Sequence, residues 1–78
     1  MKVLVFETSK DRAKLINDLL LDYRYKIHIN YHGDQVMTDV RYHQPSLIIV
    51  NANVRPDFGI GILDKIKKDP RNAKIPVI

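Results

Sequence analysis

The feature that most constrains this chain is the run Leu47-Ile48-Ile49-Val50. Pro45-Ser46 precedes it and Asn51-Ala52-Asn53 follows. A short, mostly β-branched run between a proline and a small polar residue predicts a strand covered on both faces. Such strands belong to parallel sheets with helices on either side. In open sheets of that kind, chemistry gathers beyond the carboxyl ends of the central strands. Here that position is Asn51. An Asp there would serve as nucleophile and metal ligand, and Asn does neither to a useful degree.

The rest of the chain supplies the same kind of element in alternation. Lys2-Val3-Leu4-Val5-Phe6 is a second buried run, ended by Glu7-Thr8-Ser9. Thr8 or Ser9 is placed to cap a helix, with Asp11 placed to reach back. That helix is expected to run to about Asp22, with Ala13, Ile16, Leu19, Leu20 and Tyr23 as its apolar stripe. Tyr25 to Asn30 alternates: Ile27 and Ile29 face one way, and Lys26, His28 and Asn30 form a wetter face, as on an edge strand. Gly33-Asp34 is expected to open a second helix, with Val36, Met37 and Val40 inward and an end near Gln44, because Pro45 disfavours helix before it. The segment from Val54 to Gly59 has turn chemistry. A third helix is expected from about Ile60, with Ile62, Leu63 and Ile66 inward, closed by Asp69-Pro70. Ile75-Pro76-Val77-Ile78 opens a fourth strand.

The order β-α-β-α-β-α-β forces parallel strands and right-handed crossovers. With 78 residues there is room for one domain, 1–78. A chain of this size buries only roughly 60% of its unfolded surface. It has no cysteine to staple it or to hold a metal as thiolate. The cysteine count fits a reducing compartment. With no apolar run near membrane-spanning length, a cytoplasmic setting is expected. The 13 basic and 9 acidic residues are dispersed, which reads as a solvated surface rather than a nucleic-acid footprint.

Together these residues resemble the receiver (CheY-like) domain of two-component response regulators. The resemblance rests on the first strand leading to Glu7, on Gly33, and on the block Pro45 to Val50. It also rests on the run through Gly59, Leu63, Ile66 and Asp69 into Ile75-Pro76-Val77-Ile78. It implies a flavodoxin-like, doubly wound parallel sheet of order 2-1-3-4, incomplete because receivers carry five strands and five helices. It further implies that Val77 and Ile78 lie at an open apolar edge, through which the chain would self-associate.

The departures from the family decide the expected function. In receivers, two carboxylates after the first strand and an Asp after the third hold Mg²⁺, and that Asp takes the phosphoryl group. Here Glu7 keeps the first acid, Thr8 replaces the second and Asn51 replaces the nucleophile. Asn53 stands where the family offers a backbone carbonyl. The resemblance therefore implies a degenerate phosphorylation site at Asn51 and a degenerate acidic pocket of Glu7, Thr8 and Asn53. No catalytic residue, metal or cofactor is expected, Mg²⁺ included. The implied role is a non-enzymatic module that binds a protein partner, or itself, independently of phosphorylation. Two alternatives stand beside it. One is a genuine Mg²⁺-dependent phosphoacceptor disabled by an Asp-to-Asn change, which would leave Thr8 unexplained. The other is part of a DNA-binding response regulator.

Other residues carry weaker signals. Asp57 is the nearest substitute carboxylate, but its place beside Pro56 reads as turn chemistry. His28, His32 and His43 do not recur at metal-ligand spacing. Tyr23, Tyr25, Tyr31 and Tyr42 are expected to cover the core edge rather than to stack bases. Gly59-Ile60-Gly61 lacks the Lys-Ser/Thr of a phosphate loop. Lys65, Lys67, Lys68, Arg71 and Lys74 read as a solvated helix end.

Overall fold

The computed structural model describes residues 1–51, 56–72 and 74–78, with side chains over 1–51, 61–72 and 74–78. Strand β1 (Lys2–Phe6) lies between β2 (Lys26–Asn30) and β3 (Leu47–Val50) in a parallel sheet of order β2-β1-β3. The helices are α1 (Lys10–Leu21), α2 (Val36–His43) and α3 (Pro56–Lys68), and a 3-10 turn covers Pro70–Asn72. The register pairs Val3 with Ile27 and Leu47, and Phe6 with Asn30 and Val50. Of the expected fourth strand, Val77 makes a single parallel bridge to Ile48. Backbone bonds join Ile48 N to Pro76 O, Ile78 N to Ile48 O, and Val50 N to Ile78 O. Segment 75–78 therefore lies against β3 on the side away from β1, which is the expected 2-1-3-4 order.

The pleat sends alternate β1 side chains to opposite faces. Leu4 and Phe6 join Val36, Val40, Ile48, Ile62 and Ile66 in one buried cluster, so α2 and α3 share a face. Val3 and Val5, also fully buried, point the other way, toward the side of α1 and its buried Ala13. Right-handed crossovers moving outward in opposite directions from β1 put their helices on opposite faces. Each buried Leu, Ile, Val or Phe contributes roughly 1.5–3 kcal/mol relative to an exposed one.

Several boundaries differ from the sequence expectation, each for a local reason. Of the two hydroxyls expected to cap α1, it is Ser9 that does so, accepting a hydrogen bond from Arg12 N at 3.3 Å. The α1 stripe is narrower than expected: Ala13 is buried and Ile16 and Leu20 half-buried, whereas Leu19 and Tyr23 are exposed. Helix α2 starts at Val36, three residues after Gly33. Gly33 has φ 73° and Gln35 φ 51°, and two left-handed residues so close together hold the chain out of a helix until they are passed. The α2 end at Gln44 (φ 46°) falls where Pro45 required it. Helix α3 begins at Pro56, so residues 56–59 are helical rather than loop. Proline suits a first helical turn because its missing N–H would have no intrahelical partner there. On the expected wetter face of β2, Lys26 is exposed and His28 half-buried, but Asn30 departs from the expectation. Asn30 is buried and α2 packs over it.

Candidate functional site

The carboxyl ends of β1 and β3 bring Glu7 and Asn51 together across 44 residues of chain. Asn51 N donates to Phe6 O at 3.2 Å, continuing the ladder one residue beyond the strands. The Asn51 side chain then donates from Nδ2 to Glu7 Oε1 at 2.6 Å. A carboxylate only accepts, so the amide nitrogen is the atom that faces it. The other carboxylate oxygen, Glu7 Oε2, accepts from Ser9 N at 3.0 Å, and Glu7 N donates to Asn30 O at 3.1 Å. Glu7 has no solvent exposure. Both its oxygens are thus engaged, which is how a buried carboxylate is tolerated.

Thr8 lies in the turn between β1 and α1, half-buried. Its Oγ1 is shielded from solvent and without a hydrogen-bond partner among the described residues. Asn53, and the side chain of Asp57, lie outside the described residues. Of the four residues that the sequence singled out, Glu7 and Asn51 are in contact and Thr8 sits beside Glu7 in the chain.

The donor set does not suit Mg²⁺. That ion asks for hard oxygen ligands in near-octahedral array at about 2.0–2.1 Å. Glu7 is the one carboxylate among Glu7, Thr8 and Asn51, and the amide of Asn51 presents an N–H to it rather than a further oxygen. Among the described residues, the arrangement is a polar contact that ties the ends of two strands.

Beside this site, Asn30 organises the connection from β2 to α2. Its Nδ2 donates to Asp34 O and to Asp39 Oδ2, each at 2.8 Å. Its Oδ1 accepts from His32 N at 3.0 Å and Gly33 N at 2.8 Å. The sequence marked Asn30 only as an outward strand residue. The signal that was available is an Asn at the strand end, three residues before the turn glycine Gly33, where Asn side chains bond their own downstream backbone.

A groove of about 460 Å³ opens at the other end of β3, beside Pro45, Gln44, Asp69 and Arg71. It is lined by residues at the amino end of the strand and does not include Glu7 or Asn51. Of the remaining residues, Tyr23 and Tyr42 are exposed rather than covering the core edge, and Tyr23 stacks on Tyr25 with centroids 5.5 Å apart. Lys65, Lys67, Lys68, Arg71 and Lys74 are all exposed. Lys68 pairs with Asp64 at 2.9 Å, and Lys67 Nζ donates to Ile75 O at 3.2 Å. No helix among the described residues is long and apolar enough to cross a membrane.

No protein-family model matches the chain, and no curated protein sequence matches it at a significant level. Among solved structures, the N-terminal domain of response regulator receiver protein from Methanoculleus marisnigri JR1 superposes with a TM-score of 0.84 at 24% sequence identity. The match covers 97% of this chain and 62% of that one, so the chain spans less than two thirds of the receiver structure it resembles. The chain has the receiver fold, a flavodoxin-like parallel α/β architecture.

Proposed function

We propose that the chain is a receiver-like signalling module that takes no phosphoryl group at Asn51 and acts by binding protein. The observation that carries this is the 2.6 Å hydrogen bond from Asn51 Nδ2 to Glu7 Oε1. In the receiver fold the end of the third strand is where a carboxylate would attack phosphorus. A neutral amide, whose nitrogen lone pair is delocalised into its carbonyl, is no substitute for the attacking carboxylate oxygen. Thr8 beside Glu7 removes a second carboxylate, so the loss of charge is spread over two positions and not one. A receiver signals by a local charge change that biases two packings of one surface. Without that charge, the surface works constitutively or under another control.

The partner in this proposal is a protein surface, of another chain or of a second copy of this one. Exposed Leu15 and Leu19 on α1 support such contacts. A cytoplasmic setting and the absence of enzymatic activity are part of the same proposal.

Exposure to Mg²⁺ with beryllofluoride, a mimic of the bound phosphoryl group, tests it by backbone NMR. The expected outcome is unchanged resonances at Glu7 and Asn51. Saturable shifts at both would establish a working phosphoryl site and overturn the proposal.

A further inference from the structure

A second cluster of titratable side chains lies on the β2–α2 face. His28 shares a strand face with Asn30, two residues on, and that face packs under α2. Asp39 and His43 stand four residues apart on α2, hence on one side of it. One ligand atom from each of His28, Asp39 and His43 lies within 4.8 Å of the other two. His28 Nε2 is 3.8 Å from an Asp39 oxygen, and the two imidazoles stack with centroids 4.0 Å apart.

We propose that His28, Asp39 and His43 bind a divalent cation of the zinc class, one that favours imidazole nitrogen with a carboxylate oxygen. Tetrahedral coordination with bonds of about 2.0–2.1 Å places ligand atoms ~3.3 Å apart. From separations of at most 4.8 Å, the three atoms reach that spacing by closing through up to about 1.5 Å, which side-chain rotation supplies. Three protein ligands leave a fourth position for water. Solvent reaches it, since the side chains of His28 and Asp39 are 42% and 20% exposed. The set suits zinc, nickel or copper and not Mg²⁺, which wants oxygen throughout.

Two further observations point to a ligand. His43 Nδ1 is shielded from solvent and has no hydrogen-bond partner among the described residues, an uncommon state for an imidazole nitrogen. Asp39 is already oriented: Asn30 Nδ2 holds its Oδ2 at 2.8 Å, as outer hydrogen bonds hold ligating carboxylates in metal sites. Burial, with His28 and Lys2 nearby, also pushes the His43 pKa below the ordinary imidazole value, against the opposing pull of Asp39. The Lys2 ammonium works against a bound cation, so binding is expected to be reversible rather than structural. The site is separate from Glu7 and Asn51 and does not depend on the proposed signalling role.

Titration of Zn²⁺ into isotope-labelled protein, followed by the imidazole ring resonances, tests the site. One equivalent is expected to shift His28 and His43 together. His28→Gln, on the partly exposed strand, is expected to weaken binding at least tenfold, and Asp39→Asn to weaken it also. His32→Gln, outside the cluster, leaves it unchanged. Because His43 is half-buried, its variants are read only after the fold is confirmed by circular dichroism. Equal Zn²⁺ affinity in His28→Gln, shifts confined to His32, or no ring shift at millimolar Zn²⁺ would each overturn the proposal.

Discussion

Asn51 Nδ2 lies 2.6 Å from Glu7 Oε1, so the amide that ends β3 is the partner of the carboxylate that ends β1. Glu7 is wholly buried, and removing its donor strands an acceptor in a place water does not reach. Asn51→Ala is therefore expected to destabilise the fold by about 1–3 kcal/mol, measured as a lower urea midpoint with unchanged slope. Asn51→Asp places a second carboxylate against the first. It is expected to cost at least as much at pH 7 and to recover stability on acidification, as the pair shares a proton. Equal pH profiles for the two variants would show that the contact is not electrostatic.

The four hydrogen bonds of the Asn30 side chain fasten the β2–α2 connection at both its turn and its helix. Asn30→Ala leaves several buried groups without partners and is expected to cost about 2–4 kcal/mol. Hydrogen exchange then separates this from a uniform loss: protection should fall first at His32, Gly33 and α2.

Asp69 accepts from the guanidinium and the backbone N–H of Arg71, and these bonds lower its pKa from 3.8 to about 2. Between those values the unfolded chain binds more protons than the folded one. The stabilisation is thus complete above pH 3.8 and is lost as pH falls through about 2. Asp69→Asn is expected to flatten this part of the acid-unfolding curve while leaving the rest of the profile in place. Arg71 is largely exposed, so the effect is small and should shrink further with salt.

Leu15 and Leu19 are 59% and 65% exposed and stand one turn apart on α1. If they form a contact surface for a second copy, Leu15→Lys with Leu19→Lys lowers self-association in sedimentation while changing stability by no more than about 0.5 kcal/mol. Lysine is nearly as good a helix former as leucine, so the helix itself should persist. A wild-type chain that stays monomeric at high concentration would remove the self-binding form of the proposal and leave the form with another protein.

The α2 end at Gln44 adopts φ 46°, a conformation that costs a residue with a Cβ about 1–2 kcal/mol. Gln44→Gly is expected to raise the melting temperature, by up to about 1 kcal/mol of stability. A neutral or negative result would mean that the Gln44 side chain makes compensating contacts.

The strands and their order were legible because Val3–Phe6 and Leu47–Val50 are apolar runs too short for helices, and Pro45 marks a boundary. Glu7 and Asn51 were legible as strand ends. The direction of their contact was not, since only the folded register brings the amide nitrogen against the carboxylate. The start of α3 was missed because Pro56 punctuates a turn and opens a helix equally well. The α2 start was missed because Gln35 takes a left-handed conformation that its residue type does not advertise. His28 and His43 failed every spacing rule because their proximity arises from a strand lying beneath a helix.

The 44-residue separation between Glu7 and Asn51 also bears on how the molecule assembles. Closing a loop of that length costs on the order of 3 kcal/mol in chain entropy before any contact repays it. The β1–β2 pairing spans a shorter loop and faces a smaller barrier. The bond between Asn51 and Glu7 is thus expected to form late in folding, after β3 has docked. It would report completion of the sheet, and a spectroscopic probe at either residue should lag behind one on β2.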